Sequence, residues 1–315
     1  MKKEEFYFDS RDNDTKLHAV RWMPDSENVA GIVQIVHGMA EYVERYEELA
    51  AYLTDRNFVV TGEDHLGHGK SVPEGGQQGY FCKQDPATVV VRDVHRLKKM
   101  TQELYPGVPY FILGHSMGSF ITRNYICRYG TGIDGALILG TGMQSAGLLL
   151  ASKTVAAIEG AFRGQRHVSR MMDKAAFGAY NRRIAEKRTD YDWLSRDAER
   201  VDAYIADPDC GFVFTVNGFK TLFELISRAK KPENLRKIPA ELPIFMASGA
   251  EDPVGNYGKG VEKAYRSLQG VGVRDLTLKL YPEDRHELMN EPDREQVMAD
   301  IAEWLTKHLV IPQTV

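Results

Sequence analysis

Gly114-His115-Ser116-Met117-Gly118 is the stretch of this sequence that decides the fold. An apolar run, residues 109–113, precedes it, and a helix-compatible run, residues 120–129, follows it. At a sharp strand-to-helix turn, a Gly-x-Ser-x-Gly pentapeptide lifts the serine hydroxyl clear of the sheet, and the tight turn requires small residues two positions either side. The pentapeptide alone also occurs in glycine-rich turns, but its flanking segments favour a nucleophile elbow with Ser116 as the nucleophile.

Strand-like and helix-like segments alternate on both sides of this elbow. Two strand-like runs at the N-terminus predict an antiparallel hairpin at a sheet edge. Strands are predicted at 6–8, 17–22, 31–36, 58–60, 110–113, 136–139, 242–247 and 276–280, and helices at 45–56, 89–105, 116–129, 258–268 and 294–309. Apolar strands separated by helices are typical of parallel βαβ units, so we expect a mostly parallel sheet covered by helices on both faces. Together with the elbow, this pattern predicts the α/β-hydrolase fold.

The alternation stops after the sixth predicted strand. Residues 142–241 are a succession of helix-compatible segments rich in Arg, Lys, Ala and Met. Such an insertion is predicted to be a helical cap. We therefore expect an α/β-hydrolase core of residues 1–141 and 242–315, and a cap or lid of residues 142–241.

The composition excludes several classes of protein. The chain has 315 residues, 43% of them hydrophobic, which suffices for one large core with an insertion. A formal net charge of -4 with scattered Lys and Arg argues against a nucleic-acid partner. The cysteines Cys82, Cys127 and Cys210 are far apart and lack metal-ligand spacing, which favours reduced core residues. Because no signal-peptide pattern is visible at the N-terminus, we expect a soluble cytoplasmic protein.

A nucleophilic serine needs a neighbouring base and a carboxylate that orients the base. In the α/β-hydrolase fold these residues follow in the order Ser, Asp or Glu, His, on loops after strands. Asp252 lies in the loop after the strand predicted at 242–247, and His286 follows the strand predicted at 276–280. Asp252 is therefore the predicted acid and His286 the predicted base.

Other residues of the same types compete for these roles. Glu251 and Asp284 are alternative acids, although Asp284 is only two residues from His286, where reaching back to the imidazole is awkward. His115, which neighbours the nucleophile, should point away from it. All four of these histidines are expected to pack in the core or to lie at the surface: His18, His95, His115 and His308.

Acyl transfer also requires donors for the tetrahedral oxyanion, each worth about 3 kcal/mol of transition-state stabilisation. One is the backbone N–H after the nucleophile, which belongs to Met117. The second is expected from the loop His37-Gly38-Met39-Ala40-Glu41, where Met39 is the predicted donor. His37 is expected to shape this loop by hydrogen bonding rather than to act as a second base.

Neither a metal nor a cofactor is predicted. Asp64, His65 and His68 lie within five residues, but no further ligand is evident and the glycines between them suit a tight loop. The glycines at 75, 76 and 79 are too sparse for a phosphate-binding loop.

Five motifs together resemble the monoacylglycerol lipase and lysophospholipase branch of the α/β-hydrolases, a group of serine hydrolases. They are residues 37–41 with Arg45-Tyr46, residues 64–71, residues 114–118, Asp252-Pro253 and Arg285-His286-Glu287. The resemblance implies the same site: Ser116, Asp252 and His286, with Met39 and Met117 as oxyanion donors. This sequence departs from the family at Ser119, where a second glycine is frequent, and in an insertion longer than the usual lid.

The resemblance implies cofactor-independent hydrolysis of monoacylglycerols, lysophospholipids or similar acyl esters through an acyl-enzyme. A small-molecule ester or lipid is the expected partner, with any transient contact to a membrane surface made through the cap. The alternatives are an aminopeptidase of the proline-iminopeptidase type and a non-hydrolytic ligand-binding protein on the same fold. The peptidase would need cap carboxylates facing the site, with Glu159, Asp173 and Glu199 as candidates, but residues 153–188 are net basic.

Overall fold

One eight-stranded sheet organises the protein, whose computed structural model describes residues 1–309. The strands are β1 Lys2–Asp9, β2 Lys16–Met23, β3 Gly31–Val36, β4 Phe58–Glu63, β5 Tyr110–His115, β6 Gly135–Leu139, β7 Ile244–Gly249 and β8 Leu276–Tyr281. Their order is β1-β2-β4-β3-β5-β6-β7-β8; β2 pairs antiparallel with both neighbours, and all other pairs are parallel. The predicted fold class, a mostly parallel α/β-hydrolase sheet, is confirmed.

Helices cover both faces of this sheet. They are α1 Glu47–Thr54, α2 Pro86–Leu104, α3 Met117–Tyr129, α4 Ala146–Arg163, α5 Arg170–Phe177, α6 Ala198–Ala206, α7 Val216–Arg228, α8 Pro232–Leu235, α9 Lys259–Gly270 and α10 Arg294–Lys307. The five helices α4 to α8 all lie between β6 and β7 in the chain. Across residues 1–309, none of the helices combines the length and the apolar character needed to cross a membrane.

Alternate side chains of the central strands enter two separate apolar layers. On β3, for example, Ile32 packs in the layer with α2, α3 and α9, whereas Val33 packs in the layer with α1 and α10. Both side chains are fully buried. Strands buried on both faces leave only their ends free for chemistry, and in a parallel sheet the carboxyl ends meet at one edge.

Three details differ from the sequence predictions. The strand predicted at 6–8 extends over Lys2–Asp9, because its polar first half is held by backbone pairing and by ion pairs such as Lys3 to Glu44 (2.6 Å). The helix predicted at 45–56 is a 3-10 turn, Val43–Tyr46, followed by α1. Cys127 is only half-buried, whereas Cys82 and Cys210 are buried as expected. Residues 310–315 of the predicted core lie outside the described residues.

Candidate active site

The predicted elbow is a one-residue turn between β5 and α3. Ser116 has φ 53° and ψ -118°, a conformation that costs a non-glycine residue of the order of 1–3 kcal/mol. Its backbone N–H donates to the Leu139 carbonyl (3.0 Å), and its own carbonyl accepts from the Ser119 N–H (2.9 Å). The strained residue is thus held from both sides, at the carboxyl end of the central strands.

The two glycines of the pentapeptide allow the backbone to pack without gaps. A Cβ atom added to Gly118 would lie 1.8 Å from the Val36 carbonyl oxygen, and one added to Gly114 would lie 2.2 Å from Thr122 Oγ1. A Cβ atom on Gly114 would also lie 2.3 Å from the Gly118 carbonyl oxygen, so neither overlap can be relieved by a side-chain rotation alone. Glycine at 118 lets α3 approach β3 and its following loop, and glycine at 114 lets α3 approach β5.

Replacing Gly118 by alanine is therefore expected to destabilise the fold severely, by more than about 3 kcal/mol, since the new methyl group overlaps backbone. Gly147, in the first turn of α4, is the matched control, because a methyl group added there would meet no atom within 4 Å. Thermal unfolding should show a large fall in Tm, or insoluble protein, for Gly118→Ala and an unchanged or raised Tm for Gly147→Ala. Equal Tm values for the two variants would contradict this packing argument.

Asp252 and His286 lie in contact at the same edge of the sheet, after β7 and β8. His286 Nδ1 donates to Asp252 Oδ2 at 3.0 Å. The carboxylate is fully buried and also accepts from Ser248 Oγ (3.1 Å) and from the Val254 N–H (2.8 Å). With its Nδ1 proton donated to a carboxylate, the His286 imidazole has Nε2 free to accept a proton.

The two alternative acids have other surroundings. Asp284 Oδ1 accepts from Arg196 at 2.5 Å, and the Glu251 side chain is exposed.

Ser116 and His286 line one cavity of 460 Å³, together with Met39 and Met117. The structure therefore brings together all five residues predicted for the site.

The loop that carries Met39 is oriented by His37. The His65 N–H donates to His37 Nε2 (2.9 Å), so the ring proton is on Nδ1, which lies 2.8 Å from the Gly38 carbonyl oxygen. Burial lowers the pKa of His37 well below its ordinary value, which keeps the ring neutral. Because a trans peptide holds its N–H opposite its C=O, fixing the Gly38 carbonyl also fixes the direction of the Met39 N–H. The expectation that His37 shapes this loop agrees with these contacts.

A buried charged network, which the sequence did not reveal, joins this loop to the loop of His286. Glu41 accepts from the Gly38 N–H (2.5 Å), from Arg45 (2.6 Å) and from His115 Nδ1 (3.2 Å). Arg45 also donates two bonds of 2.8 Å to Glu287, the neighbour of His286. The two loops that should surround the reacting carbonyl are thus connected by an arginine with two carboxylates.

His115 completes this network, and its two ring nitrogens bond to Glu41 and to the loop of His286. Its Nε2 donates to the His286 carbonyl oxygen at 3.1 Å. Burial lowers the pKa of His115, but the hydrogen bond and charge of Glu41 outweigh burial and raise it above its ordinary value. Burial likewise raises the pKa of Glu41, but His115 and Arg45 hold it well below its usual range. Glu41 is therefore charged at neutral pH, and its charge favours the protonated form of His115, whose two ring nitrogens both face acceptors.

The segment that combines Asp64 with two histidines is a hydrogen-bonded loop. Asp64 accepts from the Val43 N–H and the Lys70 N–H, both at 2.9 Å, and pairs with His18 Nδ1 at 2.9 Å. Its carboxylate is thus occupied by protein donors. The ring centroid of His65 lies 4.1 Å from that of His37, with the two ring planes tilted by 30°.

The segment 142–241 supplies one wall of the cavity. It contributes apolar residues, among them Phe177, Trp193, Phe212, Leu222 and Ile226, and polar residues, among them Asp173, Lys174, Asn181, Lys187 and Asp190. The Trp193 ring centroid is 5.1 Å from that of His286, a contact that no local pattern in the sequence indicated. The cavity beside Ser116 is therefore lined by both apolar and polar side chains.

Arg196, in the segment 142–241, connects that segment to the loop of His286. Its guanidinium donates to Asp284 (2.5 Å), Glu291 (2.9 Å) and Asp293 (2.7 Å), as well as to exposed Glu283. Burial first, and then the charges of Glu291 and Asp293, raise the pKa of Asp284 to about 7. Asp284 therefore carries a proton in the folded protein at a pH where the unfolded chain has released it.

This raised pKa predicts that the contribution of Asp284 to wild-type stability falls as the pH rises from about 4 to 7, because at this carboxyl group the unfolded state binds fewer protons than the folded state. Asp284→Asn imitates the neutral acid. It should be more stable than wild type by on the order of 1–2 kcal/mol at pH 8, with a smaller difference at pH 5. Urea unfolding at both pH values measures this, with Glu251→Gln as an exposed control. A variant less stable than wild type at pH 8 would refute the assignment.

Comparison with known proteins agrees with this geometry. A family model described as serine aminopeptidase, S33 matches residues 27–293. Over 291 residues, the chain is 29% identical to a monoacylglycerol lipase of Mycolicibacterium smegmatis, covering 91% of this chain and 92% of that protein. It is 28% identical over 295 residues to the monoglyceride lipase of Rattus norvegicus, covering 92% and 86%.

A solved structure shares the whole architecture. A highly thermostable carboxyl esterase from Bacillus coagulans, in complex with glycerol, superposes with a TM-score of 0.91 at 30% identity, covering 98% of this chain and 100% of that one. The family match spans β3 to β8, the elbow and the residues around His286. The chain therefore belongs to the serine aminopeptidase S33 family of α/β-hydrolases and is a hydrolase.

Proposed function

We propose that this protein is a serine esterase that hydrolyses monoacyl lipids, with Ser116 as nucleophile. The observation that carries this is the single cavity in which Ser116 and the Asp252-oriented imidazole of His286 meet an apolar wall. Met39 and Met117 N–H are the proposed oxyanion donors. No step of this chemistry calls for a cofactor.

In the proposed reaction, His286 Nε2 takes the proton of the Ser116 hydroxyl as its oxygen attacks the ester carbonyl. The two backbone N–H groups stabilise the resulting oxyanion. The intermediate then expels the alcohol, which receives the proton from His286, and an acyl-Ser116 ester remains. Water, activated by the same imidazole, hydrolyses this ester and restores the enzyme. Asp252 holds the Nδ1 proton throughout and stabilises the imidazolium that forms.

A monoacyl ester matches the mixed lining of the cavity. A volume of 460 Å³ lies in the range typical of small-molecule sites, and Phe120, Leu222 and Ile226 offer apolar surface for a chain. Polar lining residues such as Asn181 suit a hydroxylated alcohol. Curated relatives are named monoacylglycerol or monoglyceride lipases, which supports a glycerol ester over a lysophospholipid.

The contacts of the cap carboxylates disfavour an aminopeptidase. Glu159 accepts from Ser169 (2.5 Å) and faces a different surface groove, and Glu199 does not line the cavity. Asp173 does line the cavity, but Lys174 and Lys187 line it as well. A substrate ammonium would therefore meet lysines as well as carboxylates there, rather than an acidic site. A non-hydrolytic binding role is disfavoured because the Ser116, His286 and Asp252 side chains are all present.

We also propose the division into a core of residues 1–141 and 242–315 and a cap of residues 142–241. The element order supports it, since α4 to α8 are inserted between β6 and β7 and line the cavity from one side.

Activity against a matched substrate panel tests the function. The panel contains monoacylglycerols of two to eighteen carbons, lysophosphatidylcholine of one acyl length and prolyl amides, each with wild type and Ser116→Ala. The proposal expects Ser116-dependent turnover that is highest for a monoacylglycerol. Higher kcat/KM on the prolyl amide would establish the peptidase alternative instead.

We further propose that the cap contacts lipid surfaces through an exposed apolar patch on α4 and α5. Leu150, Ile158, Phe162 and Met171 are 68%, 55%, 87% and 55% exposed. Arg163 and Arg170 lie in the same groove and add positive charge. Such a surface buries apolar side chains in an interface while cations attract anionic lipid.

Phe162→Asp should weaken binding to anionic vesicles about tenfold or more, because burying a phenylalanine is worth about 1.5–3 kcal/mol. Sedimentation with phosphatidylcholine vesicles containing one third phosphatidylglycerol measures this. Leu104→Asp, at a 57% exposed leucine on α2, is the matched control and should bind like wild type. Equal binding by both variants would reject the patch as the contact surface.

A further inference from the structure

The residue after the proposed oxyanion donor adopts a strained conformation. Ala40 has φ 53°, in the left-handed region, which costs an alanine roughly 1–2 kcal/mol. Its side chain is buried, 4% exposed. Such a conformation persists only where surrounding contacts enforce it.

Those contacts come from the other side of the cavity. Among residues 1–309, the Ala40 carbonyl oxygen accepts two hydrogen bonds, from the Gly211 N–H (3.0 Å) and from the Tyr204 hydroxyl (3.1 Å). Both donors belong to the segment 142–241. Tyr204 is 7% exposed on α6, and the Arg45 guanidinium lies 4.9 Å from its ring centroid.

The segment around Met39 is thus held by different parts of the protein at its two ends. On the N-terminal side, the core residues His37 and Glu41 hold the Gly38 carbonyl and N–H. On the C-terminal side, Tyr204 and Gly211 hold the Ala40 carbonyl. If they move away, the strained Ala40 loses these restraints, and the Met39 N–H is then held from the Gly38 side alone.

We propose that Tyr204 is a positioning residue for the oxyanion hole, through which the placement of the cap controls the Met39 N–H. This inference rests on the proposed esterase function. In this proposal the oxyanion hole is complete only while Tyr204 of α6 and the Gly211 N–H hydrogen-bond to the Ala40 carbonyl. Displacement of an oxyanion donor weakens transition-state stabilisation without weakening substrate binding to the same extent.

Tyr204→Phe tests this, because it removes one hydroxyl and keeps the ring. Tyr42→Phe is the matched control: the Tyr42 hydroxyl also joins the core to this segment, by a 2.8 Å bond to Asp207, but does not touch Ala40. We expect Tyr204→Phe to lower kcat about tenfold with KM within about twofold, and Tyr42→Phe to stay within about twofold of wild type in both.

Two ligands distinguish a misplaced oxyanion donor from a general loosening of the cavity. A trifluoromethyl ketone with an acyl chain forms a tetrahedral oxyanion on the serine, whereas the matching alkylglycerol ether only occupies the cavity. Calorimetric titration should show Tyr204→Phe weakening the ketone about tenfold and the ether less than twofold. Since the fitted stoichiometry reports the folded fraction, partial unfolding of the variant does not obscure the two affinities.

Equal losses of affinity for both ligands, or wild-type kcat in Tyr204→Phe, would overturn the inference. Failure of the esterase proposal itself looks different, because wild type would then show no Ser116-dependent ester hydrolysis and the ketone would bind Ser116→Ala as tightly as wild type.

Discussion

Ser116→Ala is expected to lower kcat for ester hydrolysis by about a million-fold, because the Ser116 oxygen is the atom that carries the acyl group. The residual rate should come from the oxyanion donors and from the binding of substrate in the cavity alone. Substrate affinity should change little, since the hydroxyl is one small group beside a cavity of 460 Å³. Alanine meets the same positive φ as serine, so Tm should stay close to that of wild type.

Single-turnover and steady-state rates on a monoacylglycerol, with Tm determined in parallel, measure this effect. Ser267→Ala is the control, because its hydroxyl bonds to the Ala264 carbonyl within α9, away from the cavity. Turnover by Ser116→Ala at a tenth of the wild-type rate would exclude Ser116 as the nucleophile.

Asp252→Asn is expected to lower kcat about ten-thousand-fold while leaving the fold intact. The asparagine amide can donate to His286 Nδ1, which selects the tautomer with the proton on Nε2. That tautomer cannot accept the Ser116 proton. The Val254 N–H still has an oxygen to donate to, and the Ser248 hydroxyl, which faces the same carboxylate oxygen as His286, can accept from the amide, so the loop should keep its position.

The surface offers a matched control for this change. Asp275 accepts from His308 Nε2 at 3.0 Å, the same distance that separates His286 and Asp252, but Asp275 is exposed and remote from the cavity. Asp275→Asn should retain wild-type kcat. If Asp252→Asn retained it too, His286 would not depend on this carboxylate, and the acid assignment would fail.

The fold and the residues that meet at the site were predictable because each has a local signature. Gly114 and Gly118 mark backbone that passes too close to its neighbours for a Cβ atom, and the order of Ser116, Asp252 and His286 follows the order of strand-end loops. The catalytic roles of these residues remain predictions. The lengths of the N-terminal strand and of the first helix were mispredicted because backbone pairing and a 3-10 turn do not depend on apolar periodicity.

The supporting contacts were not predictable from the sequence. Glu41 and Glu287 share Arg45, which is separated from Glu287 by 242 residues, and nothing in either segment indicates the partner. The sequence of α6, which carries Tyr204, is that of an ordinary amphipathic helix. Only the tertiary arrangement of the chain places the Tyr204 hydroxyl at the Ala40 carbonyl. Local patterns encode elements and turns, whereas such pairs arise from tertiary packing.

The most direct test of the account is to identify the residue that becomes covalently modified. Wild type, Ser116→Ala and Ser267→Ala are treated with an alkyl fluorophosphonate, and the intact masses and peptide maps are recorded. The account predicts one adduct per chain in wild type and Ser267→Ala, located on Ser116, with loss of esterase activity in proportion to labelling. An adduct of equal yield in Ser116→Ala, or one that maps to another residue, would contradict it.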